Sequence, residues 1–329
     1  MKIIVTGGLG FIGSNFINWI LKSRPDVEVT NVDKCDYVAR EHNVDPSPRY
    51  TFIRGDITEK YHMRHIFTET QPDVLIHFAA QSFVDLSFDL AYQFTKDNVL
   101  GTQVLLEVLK DYGQIKKFIH ISTDEVYGEV GPQTTSDERS PLNPSNPYAA
   151  SKAAAELYVR AYGNAYKIPY IITRGNNVFG PRQYPEKVVP VFISQILDGK
   201  SCTIHGTGET RRNFIYVDDV SKALEIILFQ GKNGKMYNLG SQHEYSVLEI
   251  FDKIKTIMGR GEKVHVTDPR PFNDSRYCID SSELRTLGWT EDPDFDASLS
   301  KTVEWYMAHL GWWGSTSESA CTVSIGSGP

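Results

Sequence analysis

A chain of 329 residues, 40% hydrophobic and 23% charged, can bury a large core as one α/β domain or as two coupled lobes. Its 34 basic and 41 acidic residues leave a net charge of -7, which excludes a general electrostatic footprint for nucleic acid and confines any anion site to a local cluster. The four cysteines are scattered without a Cys-x-x-Cys, and the nine histidines form neither His-x-His nor His-Glu-x-x-His, so no disulfide framework and no metal motif is visible. No apolar run reaches the roughly 20 residues needed to cross a bilayer. A strand-like start at Lys2 leaves no room for a signal peptide. The expectation is a soluble, cytoplasmic protein with no nucleic-acid or membrane partner.

The first expected strand, residues 3–5, leads into Thr6-Gly7-Gly8-Leu9-Gly10-Phe11-Ile12-Gly13 and a helical stretch at 16–21. Short β-branched or aromatic runs follow at 27–32, 51–53, 74–78, 118–121 and 170–173, with a helical period at 99–109. That alternation predicts βαβ units: an α/β, Rossmann-like, doubly wound parallel sheet covered on both faces. Beyond Arg174 the pattern breaks up at Pro181, Pro185 and Pro190, and two amphipathic helices are expected at 247–258 and 299–309. The division expected is a cofactor domain at 1–174 and a smaller substrate lobe mainly at 175–313, with some segments returning to the first domain. The Ser-, Thr- and Gly-rich end, 314–329, reads as a flexible tail.

The glycine run satisfies Gly-x-x-Gly-x-x-Gly through Gly7, Gly10 and Gly13, between a strand and a helix. Glycines suit this place because the turn must be tight and the backbone must approach a pyrophosphate at a helix N-terminus. Alone the motif is weak; Asp33, twenty residues after Gly13 at a strand end, strengthens it, because a carboxylate there accepts ribose hydroxyls. The same acid opposes a 2′-phosphate, so NAD is expected and not NADP, with Phe11 and Ile12 at the helix start against it. Asp56 and Ile57, after the third strand, are candidates for the adenine, although an Asp there equally suits capping of the next helix.

Residues 122–128, Ser-Thr-Asp-Glu-Val-Tyr-Gly, set Thr123 and the adjacent carboxylates Asp124 and Glu125 just after an expected buried strand. Tyr148 and Lys152, four apart, share one face of a helix. Tyr is a poor base at its ordinary pKa of about 10, and a close ammonium favours the phenolate. Thr123 is placed to share a substrate hydroxyl's proton. Alone, Tyr148 and Lys152 read as a surface pair and the two acids as a solvated loop. Together, they point to a site that oxidises a hydroxyl and also eliminates water.

These motifs resemble those of the extended short-chain dehydrogenase/reductases, and specifically the nucleotide-sugar 4,6-dehydratases, from Lys2 to about Trp313. The glycines, Tyr148 and Lys152 are shared with sugar epimerases, decarboxylases and reductases. The discriminating segment is Thr123-Asp124-Glu125, where epimerases usually carry small residues. The resemblance implies that Tyr148 removes the glucose 4-hydroxyl proton, Glu125 takes the C5 proton and Asp124 protonates the departing 6-hydroxyl. It also implies that the loop from His77 to Asp85, with Ala79, Ala80 and Ser82, lies near the nicotinamide and sugar. Asn177, Glu186, Lys187, Arg212, Asn213, Arg270 and Tyr277 are then expected on the sugar and diphosphate. Guanidinium forks match phosphate oxygens, which suits Arg212 and Arg270. Asp218 and Asp219 read as a helix cap and not a metal site. The runs Arg174-Gly-Asn-Asn177 and Arg270-Pro-Phe-Asn-Asp274 look most like the UDP-glucose enzymes of rhamnose synthesis, which favours UDP-glucose over dTDP-glucose. A homodimer built on helices at 99–109 and 148–166 is implied as well. A sugar epimerase or decarboxylase, and a non-catalytic NAD-binding scaffold, are the competing readings.

Overall fold

A computed structural model describes residues 1–267 and 274–313. Arg270 and the expected tail at 314–329 lie outside the described residues.

In chain order the elements are β1 (Lys2–Thr6), α1 (Phe11–Ser23), β2 (Glu28–Asp33), β3 (Tyr50–Arg54), α2 (Lys60–Thr70), β4 (Val74–His77), α3 (Val84–Asp89) and α4 (Ala91–Phe94). A π-helical stretch, Thr95–Leu100, then runs into α5 (Gly101–Tyr112). Next come β5 (Lys117–Thr123), a 3-10 turn at Asp124–Tyr127, α6 (Pro147–Tyr166), β6 (Tyr170–Gly175), β7 (Asn177–Phe179) and α7 (Val188–Leu197). The chain continues through β8 (Cys202–His205), β9 (Arg211–Tyr216), α8 (Val217–Gln230), β10 (Met236–Leu239), β11 (Glu244–Ser246), α9 (Val247–Met258), β12 (Lys263–Val266), α10 (Ser282–Arg285) and α11 (Phe295–Ala308).

Seven strands form one parallel sheet in the order β10-β6-β5-β4-β1-β2-β3. A sheet buried on both faces needs near-continuous apolar strands, and Ile3, Ile4 and Val5 of β1 are all fully buried. On one face Phe16, Ile17 and Ile20 of α1 pack with Leu224 and Ile227 of α8; on the other, Met63 and Phe67 of α2 pack with Leu105, Leu109 and Val159. Each such side chain contributes about 1.5–3 kcal/mol by leaving water. The strand order reverses direction between β1 and β4, and the carboxyl ends of those two strands open the crevice where such sheets bind ligands.

The expected strands and amphipathic helices are present, with ends displaced by a few residues. The second half contributes more to the main sheet than its broken pattern suggests. Strand β10 forms its edge against β6, and α8 lies on α1, where Glu225 accepts from Trp19 Nε1 and Arg24 Nε, both at 2.5 Å. A separate core of Phe192, Ile196, Phe214, Phe251, Phe295 and Leu299 holds α7, α9 and α11 around the three-stranded sheet β11-β9-β7. Helix ends follow local chemistry: Asn146 caps α6 ahead of Pro147, and Ser246 with Glu249 forms a capping box on α9. Among the described residues no helix is long and apolar enough to cross a membrane, and no cluster of His, Cys, Asp and Glu is arranged for a metal.

Candidate active site

The first crevice opens above β1. Gly7 has φ +75°, and a Cβ there would stand 2.5 Å from Ala79 Cα, so only glycine lets the turn after β1 meet the loop after β4. A Cβ on Gly13 would meet the Gly7 carbonyl at 2.6 Å, whereas one on Gly10 would meet only that carbonyl, at 3.4 Å. Gly10 is the N-cap of α1 and offers no side chain, so the first N–H groups of the helix are left for a ligand. Gly7, Gly10, Phe11, Ile12, Gly13, Asp33, Asp56, Ile57, Ala79 and Ala80 all line this crevice. Asp33 is fixed by N–H donation from Leu9 (3.0 Å) and Cys35 (2.9 Å), and burial pushes its carboxyl above the ordinary value. Lys34 beside it is held by Asp97 (2.6 Å) and Asp36 (3.1 Å). Asp56 lines the crevice but does not cap α2, whose N-cap is Glu59: its carboxylate accepts from the Thr58 N–H and hydroxyl, each at 2.8 Å, in the turn ahead of the helix.

A second cavity adjoins the first; Phe11, Ile12, Ser82, Ser122, Tyr148 and Glu186 belong to both walls. Tyr148 stands in the first turn of α6, where its phenol comes under the influence of the Thr123 hydroxyl at the end of β5. Burial pushes that phenol well above its ordinary value, and the charges of Glu125 and Asp124 add to the effect. The expected depression by Lys152 therefore does not prevail: the ammonium is itself desolvated, lowered to about 8, while the two carboxylates act on the phenol. Lys152 lines the first crevice one helical turn from Tyr148.

The acid pair is split by its surroundings. Glu125 lines the second cavity, and its Oε2 accepts from Asn146 Nδ2 at 2.9 Å. Asp124 sits behind the wall, 2% exposed; burial and the Glu125 charge raise it to about 7. Its Oδ2 accepts from Asn176 Nδ2 at 2.7 Å, and Oδ1 lies 3.2 Å from Thr123 Oγ1. A buried carboxyl raised to about 7 beside a second carboxyl that faces the cavity suits one acid and one base.

Ser82, Asn177, Glu186, Lys187, Arg212 and Tyr277 also line the second cavity. Glu186 accepts from the Tyr37 hydroxyl at 2.7 Å, and Lys187 Nζ donates to the Ser82 carbonyl at 2.8 Å. Arg212 donates to the carbonyls of Asp274 (2.7 Å) and Arg211 (2.8 Å) with its guanidinium carbon 4.5 Å from the Tyr277 ring centre, which fixes it on the wall. Asn213 is not on that wall. Successive residues of β9 face opposite ways, so Arg212 and Phe214 reach the cavity while Asn213 donates to the Ser241 carbonyl at 2.8 Å. Arg174 is likewise internal: its guanidinium grips Glu156 of α6 (2.6 Å) and the Tyr127 hydroxyl (2.7 Å), bracing the turn that carries the acids. Asn146, Asn176 and Asp274 also line the second cavity, in addition to the residues expected there. Asn146-Pro147 is a legible helix start, but that its amide also reaches Glu125 is a tertiary fact.

The sheet order, glycine turn and Tyr148/Lys152 pair define an extended short-chain dehydrogenase/reductase. Within it, the chain belongs to the GDP-mannose 4,6 dehydratase family, whose model matches residues 4–302. It is 42% identical over 323 residues to a trifunctional UDP-glucose 4,6-dehydratase/UDP-4-keto-6-deoxy-D-glucose 3,5-epimerase/UDP-4-keto-L-rhamnose-reductase of Arabidopsis thaliana, covering 96% of this chain and 49% of the relative. The chain thus spans about half the length of such plant relatives. It is 43% identical to a dTDP-D-glucose 4,6-dehydratase of Mus musculus, covering 95% of this chain and 90% of that one. The solved dTDP-glucose 4,6-dehydratase of Streptomyces venezuelae with NAD bound superposes with a TM-score of 0.91 at 37% identity, covering 95% and 99% of the two chains.

Proposed function

We propose that the protein is an NAD-dependent nucleotide-sugar 4,6-dehydratase acting on UDP-glucose, to give UDP-4-keto-6-deoxyglucose. The observation that carries this reading is the meeting of Tyr148, which lines both adjoining cavities, with Thr123 and Glu125 on the wall of the second, and with Asp124, raised to about 7, buried behind them.

The residues of the first crevice fit NAD. The space at Gly10 and the uncapped start of α1 would hold the pyrophosphate, and Asp33 the adenosine ribose. Lys34, engaged by Asp97 and Asp36, offers little to a 2′-phosphate, in keeping with NAD. When bound, NAD supplies the hydride acceptor for C4, the donor for C6 and a positively charged ring. With that positive charge and Lys152 beside it, the Tyr148 phenol can release its own proton to solvent; Oη then takes the proton of the sugar 4-hydroxyl while Thr123 donates to the phenolate. The C5 proton becomes acidic only once C4 is a carbonyl; Glu125 then removes it. Asp124, whose Oδ1 meets Thr123 on the cavity wall, supplies the proton with which the 6-hydroxyl departs as water. An epimerase needs Tyr148 and Lys152 but has no use for the two acids. A retired scaffold gains nothing from keeping Lys152 and Asp124 desolvated, which costs stability.

The name of the plant relative supports UDP-glucose, as does the resemblance of Arg174-Gly-Asn-Asn177. The mouse relative supports a second reading, dTDP-glucose. Incubating the purified protein with each sugar nucleotide separates them: faster formation of the 4-keto product from UDP-glucose is expected. A preference for dTDP-glucose would establish the second reading, and no 4-keto product from either would overturn the dehydratase reading.

A further inference from the structure

We propose that Asn176 is a positioning residue that keeps the acidic proton of Asp124 on Oδ1, the oxygen beside Thr123. The inference rests on Asp124 being the acid of the proposed dehydration.

The side chain of Asn176, 4% exposed, has its orientation fixed from both ends. Its Oδ1 accepts the Ser241 N–H at 2.8 Å, so Nδ2 must be the group that faces Asp124 Oδ2, at 2.7 Å. An amide nitrogen donates and does not accept. An O–H on Oδ2 directed at Asn176 would therefore meet a donor, and Oδ2 is left as the carbonyl oxygen of a protonated Asp124. The proton belongs to Oδ1, 3.2 Å from Thr123 Oγ1. Asp124 is buried against Glu125 and raised to about 7, so a proton is present to be placed.

The placement completes the hydrogen bonding of Thr123. With Asp124 protonated on Oδ1, the Thr123 oxygen accepts from Asp124 and from the Glu125 N–H (3.3 Å), and its own hydrogen is free for the Tyr148 phenol. Thr123 lines the cavity while Asp124 does not, so Oδ1 is the edge of Asp124 turned toward the only lining member of that pair. Were the proton on Oδ2, Thr123 would have to give its hydrogen to Asp124 Oδ1 and would lose it to Tyr148. The charged and titratable groups around Asp124 are Glu125, Arg212 and Tyr148.

Two measurements on Asn176→Ala test this. In infrared difference spectra referenced to Asp124→Asn, the C=O stretch of protonated Asp124 should move to higher frequency in Asn176→Ala, because the carbonyl oxygen has lost its donor. Asn176→Ser, which keeps a hydroxyl donor, should shift it less and stands in if the alanine variant does not fold. An unchanged band, or no protonated Asp124 band in the wild type below pH 6, would overturn the inference whatever the enzyme's substrate. In turnover, water elimination should slow about 10–100-fold with KM and C5 hydrogen exchange near wild type. Equal loss of C5 exchange and elimination, or no loss of either, would count against it. A wild type that makes no 4-keto product denies the functional reading instead, and the band shift still decides the position of the proton.

Discussion

Asn146 Nδ2 donates to Glu125 Oε2 at 2.9 Å while Asn146 Oδ1 accepts the Ala149 N–H at 2.8 Å. One side chain thus starts the helix that carries Tyr148 and Lys152 and also holds the carboxylate assigned to C5. The geometry of oxidation and that of elimination are tied through this residue.

Separating its two duties gives a first prediction. Asn146→Ala should cost about 1 kcal/mol in thermal unfolding, as loss of an N-cap does, and should also reduce turnover. Asn146→Asp keeps a cap but sets a carboxylate against Glu125. It should unfold near the wild-type temperature yet lose activity about tenfold or more through like-charge repulsion. Equal activity of Asn146→Asp and wild type would show that Glu125 does not depend on this contact.

The burial of Asp124 gives a pH dependence with a definite sign. Its folded-state value of about 7 lies above the ordinary 3.8. Between those values the folded chain holds a proton that the unfolded chain releases, so this group makes stability fall as pH rises from about 4 to about 7. Asp124→Asn removes the effect. It should be more stable than wild type at neutral pH, by about 1–4 kcal/mol, with the gain gone below about pH 4. Denaturant unfolding of both proteins across that range checks it; a difference independent of pH would contradict the assignment.

Much of this was legible in the chain. A glycine turn between an apolar strand and a helix, and an acid at the next strand end, specify a crevice through local sterics alone. Tyr148 and Lys152 follow from helical spacing. What sequence could not place depends on which way a strand or a guanidinium faces. Arg212 and Asn213 are adjacent, and only the register of β9 decides that Arg212 reaches the cavity. Arg174 sits in a run resembling substrate loops, yet a buried carboxylate on α6, Glu156, claims it. Strand β10 is too short to be noticed as Met236–Leu239 until β6 is there to pair with it.

Retention of the cofactor is the third prediction. The Tyr37 hydroxyl, from the segment after β2, donates to Glu186 ahead of α7, and both residues line the cofactor crevice. If the hydride is borrowed and returned, as the proposed reaction requires, NAD need not leave between turnovers, and purified protein should carry it. Tyr37→Phe should lower the bound fraction after gel filtration, with the fold unchanged by circular dichroism. Stoichiometric release of NADH during steady turnover would contradict the retained cofactor.

A homodimer built on α5 and α6 is the fourth. Leu157 and Tyr158 on α6 and Leu100 just ahead of α5 are exposed, Leu157 at 54%, apolar side chains that a four-helix contact with a second copy would cover. Sedimentation should give twice the chain mass at micromolar concentration, and Leu157→Lys should shift it toward the monomer. A monomeric wild type would dispose of the interface.

The roles of the two acids and the reaction itself converge on carbon 5 of the sugar. If Tyr148 opens the reaction, Glu125 removes the C5 proton and Asp124 releases water, turnover of UDP-glucose in deuterated water must place solvent deuterium at C5 of a 4-keto-6-deoxy product. Glu125→Gln should abolish that incorporation while the reduced cofactor accumulates, and Asp124→Asn should keep the exchange but eliminate slowly. Nuclear magnetic resonance of the wild-type product is the most direct test. Deuterium at C5 beside a new methyl group is the predicted result; a C4 epimer with no solvent deuterium at C5 would contradict the account.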